Sequence, residues 1–153
     1  MALKPGDPAP EFRGKTTDGS ELNLSDFRGK KLVLYFYPMD VTPGCTAQAC
    51  SLRDGYDEIR ERGAEVVGVS TQGAESHRRF SQFYRLPFPL IADVDQEIAR
   101  AYGVIGGGPF SFMKTLVGVA DRVTFLIDEH GTIAQVIDHP VASKHADEVL
   151  ALL

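Results

Sequence analysis

Lys31-Leu32-Val33-Leu34-Tyr35-Phe36-Tyr37 is an unbroken apolar and aromatic run, and Pro38 ends it. A run of strand length without polar alternation predicts a central strand covered on both faces. After Pro38-Met39-Asp40-Val41-Thr42 the period changes. From 43 to 63, Cys45, Ala49, Leu52, Tyr56 and Ile59 recur at alternating steps of four and three, which puts them on one stripe of a helix, with Gly63 as its stop.

Outward from this unit, residues 65–70 read as a second buried strand, 74–84 as a helix, 88–92 as a short strand and 95–102 as a helix. Strands that alternate with helices predict a parallel core. The last third differs: 122–128 and 132–138 are strand-like runs joined by Glu129-His130-Gly131, a turn signal, and so predict an antiparallel hairpin. A closing helix over 142–153 would cover a sheet face. Residues 5–30 are rich in Pro, Gly and charge, with a small hairpin expected around 20–24 after Asp18-Gly19. The expected architecture is α/β: a mixed central sheet flanked by helices on both sides, with an added N-terminal β-hairpin, in one domain spanning 1–153.

At 153 residues, 43% hydrophobic and 24% charged, the chain suits one soluble core. The net charge of −5 argues against a nucleic-acid partner, because Lys30-Lys31 and Arg78-Arg79 are too short to form a basic footprint. No apolar run reaches membrane-span length, and Met1-Ala2-Leu3-Lys4-Pro5-Gly6 lacks an apolar signal core, so a cytoplasmic protein off the membrane is expected. Two cysteines are too few for a disulfide scaffold; in a reducing compartment such a pair is more often catalytic, metal-binding or merely buried.

Cys45 lies where a central strand runs out into a helix, the usual place for sites in open α/β sheets. Thr42 is a natural N-cap and Pro43 a natural first helical residue. Cys45 then falls in the first turn, near unpaired N–H groups and the positive end of the helix dipole, a setting that favours a thiolate. The plainer alternative is a simple cap at Thr42 and a small core residue at Cys45. Cys50 weighs against it. Five residues apart on an intact helix, the two side chains point about 140° apart, with Cα atoms about 8 to 9 Å apart, whereas a disulfide tolerates at most about 7 Å. If the pair bonds, the helix must unwind between them, which argues for a transient bond over a structural one.

Pro38-x-x-x-Thr42-x-x-Cys45 resembles the active-site motif of peroxiredoxins, and Cys45-Thr46-Ala47-Gln48-Ala49-Cys50 followed by Ser51-Leu52-Arg53-Asp54 resembles the bacterioferritin comigratory protein, or peroxiredoxin Q, subfamily. The likeness continues through Gly6-Asp7-Pro8-Ala9-Pro10-Glu11-Phe12, Val67-Gly68-Val69-Ser70, Leu86-Pro87-Phe88-Pro89-Leu90 and Arg122-Val123-Thr124-Phe125-Leu126-Ile127-Asp128. The resemblance implies a thioredoxin-like fold and a thiol peroxidase, with Cys45 as the nucleophile and Cys50 as its disulfide partner after oxidation to a sulfenic acid. It further implies that Thr42 hydrogen-bonds the peroxide and Arg122 stabilises the thiolate and the developing oxyanion. Pro38 would shield the sulfur, and backbone N–H groups near Gly44 and Cys45 would cradle oxygen. Hydrogen peroxide and organic hydroperoxides are the implied substrates, thioredoxin or a similar dithiol protein the reductant, and a monomer the expected state. No cofactor or metal is implied.

Where the family commonly has Asp, this chain has Gln72, for which a loop effect is expected. Gln48 is expected to orient Thr42 or to sit on the helix surface. The stretch Gly106-Gly107-Gly108-Pro109-Phe110-Ser111-Phe112-Met113 reads as a flexible loop or as an apolar lid for larger hydroperoxides. A phosphate loop fails because Met113 stands where that motif needs Gly. A zinc site fails because His77, His130, His139 and His145 are scattered and read as surface residues or caps. The remaining alternatives are a thiol-disulfide oxidoreductase, which generally uses Cys-x-x-Cys, a peroxide-sensing redox protein without rapid turnover, and a purely structural domain.

Overall fold

The computed structural model describes residues 3–40, 42–105 and 121–153. Strands β1 (Arg13–Lys15) and β2 (Glu21–Asn23) pair antiparallel as the N-terminal hairpin. The central strand β3 (Lys31–Phe36) follows, then helices α1 (Pro43–Asp54) and α2 (Tyr56–Glu61) and strand β4 (Ala64–Ser70). Helix α3 (Ala74–Tyr84), strand β5 (Leu90–Ala92) and helix α4 (Glu97–Ala101) complete the parallel part. Strands β6 (Val123–Ile127) and β7 (Ile133–Ile137) and helix α5 (His145–Leu152) close the chain.

The main sheet has the order β5-β4-β3-β6-β7. β3 runs parallel to β4 and antiparallel to β6, so it is paired on both edges and buried on both faces. Its pleat divides the core. Leu32, Leu34 and Phe36 pack with Phe12, Ile98, Tyr102 and Phe125 beneath the N-terminal segment and α4. Val33 and Tyr35 face the other way, together with Cys45, Leu52, Ile59, Phe80 and Val149 from α1, α2, α3 and α5. This is the mixed sheet, with helices on both sides and an added hairpin, that the periodicity predicts. Among the described residues no helix is long and apolar enough to cross a membrane.

Two expectations require correction. The helix expected over 43–63 is two helices divided at Gly55, where α5 crosses so closely that an added Cβ would lie 2.7 Å from the Cβ of Ala146. The histidines divide as well: His130 and His139 are exposed, but His77 and His145 are completely buried. Each buried ring is possible because both of its nitrogens have partners, which removes the cost of taking them out of water. His145 lies between the hydroxyl of Thr124, 2.8 Å from Nε2, and the carboxylate of Glu148, 2.9 Å from Nδ1.

Tyr35 sits opposite Gly68 in the β3–β4 register, and a Cβ on Gly68 would come within 2.9 Å of its ring and 2.7 Å of Leu90. Gly68→Ala should therefore destabilise by about 1 to 3 kcal/mol through overpacking, read as a lower urea midpoint with an unchanged m-value. Burial above all, offset in part by Glu148, lowers the pKa of His145 from its ordinary 6.5. The unfolded chain then binds the extra proton first, so the contribution of this residue is complete above 6.5 and is lost as the pH falls through the lower folded value. The urea midpoint of the wild type should drop between about pH 7.5 and about pH 5, and His145→Gln should show a shallower drop.

Candidate active site

Helix α1 opens at Pro43, shortly after β3 ends at Phe36. Thr42 has the extended backbone of an N-cap, and its carbonyl accepts from the N–H of Thr46 at 2.8 Å. Its hydroxyl does not cap the helix; it donates to the carbonyl of Met39 at 3.2 Å. The cap expected of this side chain is thus a loop brace. Pro43 begins the helix, and Cys45 follows in the first turn, only 1% exposed. Cys50 is half-buried on the same unbroken helix, and both cysteines are free thiols. This is the arrangement that the spacing argument requires of the reduced chain.

Arg122 immediately precedes β6, whose first residue pairs with Phe36 at the end of β3, so the antiparallel register delivers the guanidinium to the start of α1. Its Nη2 donates to Cys45 Sγ at 3.3 Å, and its Nη1 donates to Gln48 Oε1 at 2.8 Å. A planar guanidinium held at two points has one orientation, which a lysine could not reproduce. Gly44 makes room for it, because a Cβ there would lie 3.0 Å from Nη2. Gln48 is fully buried and braces Arg122, which corrects the helix-surface expectation. The signal for this was its place three residues after Cys45, on the same side of the helix.

Two buried polar atoms beside this cluster, Tyr35 Oη and Gln48 Nε2, have no hydrogen-bond partner among the described residues. Burial above all, with Coulombic repulsion from Cys45 second, raises the pKa of Tyr35 well above its ordinary value, so the phenol keeps its proton. Pro38 is half-buried at the end of β3, and its carbonyl accepts from Ser70 Oγ at 3.4 Å. Gln72 holds the entry loop, since its Oε1 accepts from the backbone N–H of Asp40 at 2.5 Å. The structure therefore brings Cys45, Arg122, Gln48 and Gly44 together directly and ties Thr42 and Pro38 into the adjoining loop. The 106–113 stretch lies outside the described residues.

Comparison with known proteins agrees in sequence and in shape. Residues 5–136 match the AhpC/TSA family. The chain is 45% identical over 149 residues to peroxiredoxin Bcp of Escherichia coli K12, covering 97% of this chain and 94% of that protein. PrxQ of Xylella fastidiosa superposes with a TM-score of 0.89 at 28% identity, over 99% of this chain and 95% of that one. The bacterioferritin comigratory protein of Xanthomonas campestris, described for its alkyl peroxide reduction activity, superposes with a TM-score of 0.83 at 30% identity, over 99% and 94%. On this agreement the chain belongs to the AhpC/TSA family and, within it, to the peroxiredoxins of the Bcp and PrxQ kind, which are thiol peroxidases.

Proposed function

We propose that Cys45 is the peroxidatic nucleophile, that Cys50 resolves it, and that thioredoxin or a similar small dithiol protein returns the pair to the thiol state. The reading rests above all on the Arg122 guanidinium at 3.3 Å from Cys45 Sγ, with Cys45 itself only 1% exposed. A fixed cation there favours the thiolate and remains in place to meet negative charge on the peroxide oxygens as the O–O bond stretches.

The steps balance with the hydroperoxide, the two cysteines and an external dithiol. The Cys45 thiolate attacks one oxygen of the hydroperoxide, forming an S–O bond and breaking the O–O bond. The released alkoxide or hydroxide takes the proton of the attacked O–H, or one from solvent water, and leaves as alcohol or water. Thr42 has its hydrogen committed to Met39, which leaves its oxygen lone pairs to accept from the peroxide O–H. The half-buried Pro38 limits water at the sulfur, and backbone N–H groups of the first helical turn near Gly44 receive oxygen. Cys50 then attacks the sulfenic acid, an S–S bond forms and water departs. A dithiol reductant opens that bond by thiol exchange, supplying two electrons and two protons, and leaves as its own disulfide. Both hydrogen peroxide and organic hydroperoxides suit this scheme; the described activity of the Xanthomonas campestris relative supports the organic class.

Peroxide consumption coupled to thioredoxin and thioredoxin reductase tests the assignment. Wild type should turn over, Cys45→Ser should be inactive, and Cys50→Ser should react once and stall. If wild type reacts once but no dithiol restores it, the chain is a peroxide-sensing protein without rapid turnover. Arg122→Ala should slow the reaction of Cys45 with hydrogen peroxide about a hundredfold. Stopped-flow rates together with an unchanged fold by circular dichroism would check this.

A further inference from the structure

Asp40 is 6% exposed although it lies in a loop, and His77 is fully buried on α3. The Asp40 carboxylate accepts from Tyr37 Oη at 2.7 Å and Ser76 Oγ at 2.7 Å, and lies 2.6 Å from His77 Nδ1. The other ring nitrogen of His77 stands 3.0 Å from the carbonyl of Ile91 in β5. That carbonyl can only accept, so Nε2 donates to it. Tyr37 further approaches Nδ1 at 3.5 Å, and Asp40 N–H is held by Gln72. One carboxylate thus fastens the loop before Cys45 to Tyr37, just after β3, and to α3, and through His77 to β5. Against burial, the bonds from His77, Tyr37 and Ser76 keep its pKa below the usual carboxylate value.

The opposite half of α1 is fastened to different elements. Ser51 Oγ accepts from the N–H of Ala146 at 3.0 Å, and Arg53 donates to the carbonyl of Tyr84 at 2.8 Å. Cys50 therefore belongs to a part of the helix pinned to α5 and the end of α3. Cys45 belongs to the part whose entry loop hangs on Asp40. When α1 unwinds so that the two sulfurs can meet, one of these anchorages has to yield.

We infer that Asp40 and His77, with Ser76, are positioning residues that hold the entry loop and first turn of α1 in the peroxide-reactive form, and that this anchorage sets how fast Cys45 can leave it to reach Cys50. The inference rests on the two-cysteine reading. A firm anchor favours attack on peroxide, slows disulfide closure and lengthens the life of the sulfenic acid, which a second peroxide can then oxidise to the sulfinic acid. None of these three residues touches the sulfur, so they act through loop position alone.

The test compares wild type, Asp40→Asn, Ser76→Ala and Ser76→Thr. Stopped-flow fluorescence gives the attack and closure rates, and intact mass after excess peroxide gives the sulfinic fraction. In Asp40→Asn, attack should slow about tenfold while closure quickens and the sulfinic fraction falls, since a small misplacement near reacting atoms has effects of this order. Ser76→Ala should show the same opposed changes at about threefold, and Ser76→Thr, which keeps the hydroxyl, should return to within about twofold of wild type. Loss of stability alone would move the melting temperature without opposing the two rates. Rates that fall together, or do not change in Ser76→Ala, overturn the inference; if Asp40→Asn does not fold, Ser76→Ala decides. Amide exchange in the reduced protein gives a reading independent of peroxide chemistry. The Thr46 amide should exchange several-fold faster in Ser76→Ala while that of Asp54 stays as in wild type, and equal protection of Thr46 in both proteins also overturns it.

Discussion

Everything at the site depends on a guanidinium and a thiol meeting at 3.3 Å in a place nearly closed to water. A charge there is costly unless it is paired and hydrogen-bonded on several sides. The fold meets that condition from two separate segments. β6 brings Arg122 antiparallel to the end of β3, α1 brings Cys45 and Gln48 one turn apart, and Gly44 leaves out the side chain that would keep them separate. Neither the strand nor the helix could make the pair alone. The β3–β6 register is therefore as much a part of the chemistry as the sulfur.

Under the proposed resolution of Cys45 by Cys50, the same helix faces the opposite demand in the second half of the cycle. While α1 is intact, Cys45 is buried on the stripe that covers β3 and Cys50 points elsewhere, at a separation no disulfide spans. Reactivity toward peroxide needs the helix, and closure of the disulfide needs its loss. A structure that serves both must hold α1 by contacts strong enough to define the site and local enough to release. Polar contacts at the ends of the helix suit this better than a larger apolar face would, because a hydrogen bond is directional and is lost over a small displacement, whereas apolar burial declines gradually with area.

Much of the fold was legible in the sequence because its signals are local. The apolar run at 31–37, the change of period after Pro43 and the turn at Glu129-His130-Gly131 each depend on neighbours in the chain, and each corresponds to an observed element. The break at Gly55 was not legible, since the close approach that demands a glycine there comes from Ala146 on a distant helix. Cys45, Thr42 and Pro38 share one motif and could be read together. Arg122, far along the chain, was reached only through the family likeness, and no local pattern sets it apart from an arginine at the solvated end of a strand. The polar residues expected at the surface but found inside depart from expectation for one reason. Gln48, His77 and His145 are buried by partners far away in sequence, and polarity predicts exposure only where such partners are lacking.

Those three residues have a common arrangement. Gln48 braces Arg122, His77 joins the carboxylate that holds the entry loop, and His145 ties the start of α5 to β6 two residues after Arg122. All three lie on the side of the sheet that carries α1, where the apolar core is interrupted by the site itself. A purely apolar layer there would pack as well, but it could not fix the direction of a guanidinium or the position of Asp40 ahead of α1, because dispersion and burial do not specify orientation. The buried polar groups supply that direction, and they occur where the reaction needs geometry more than it needs stability.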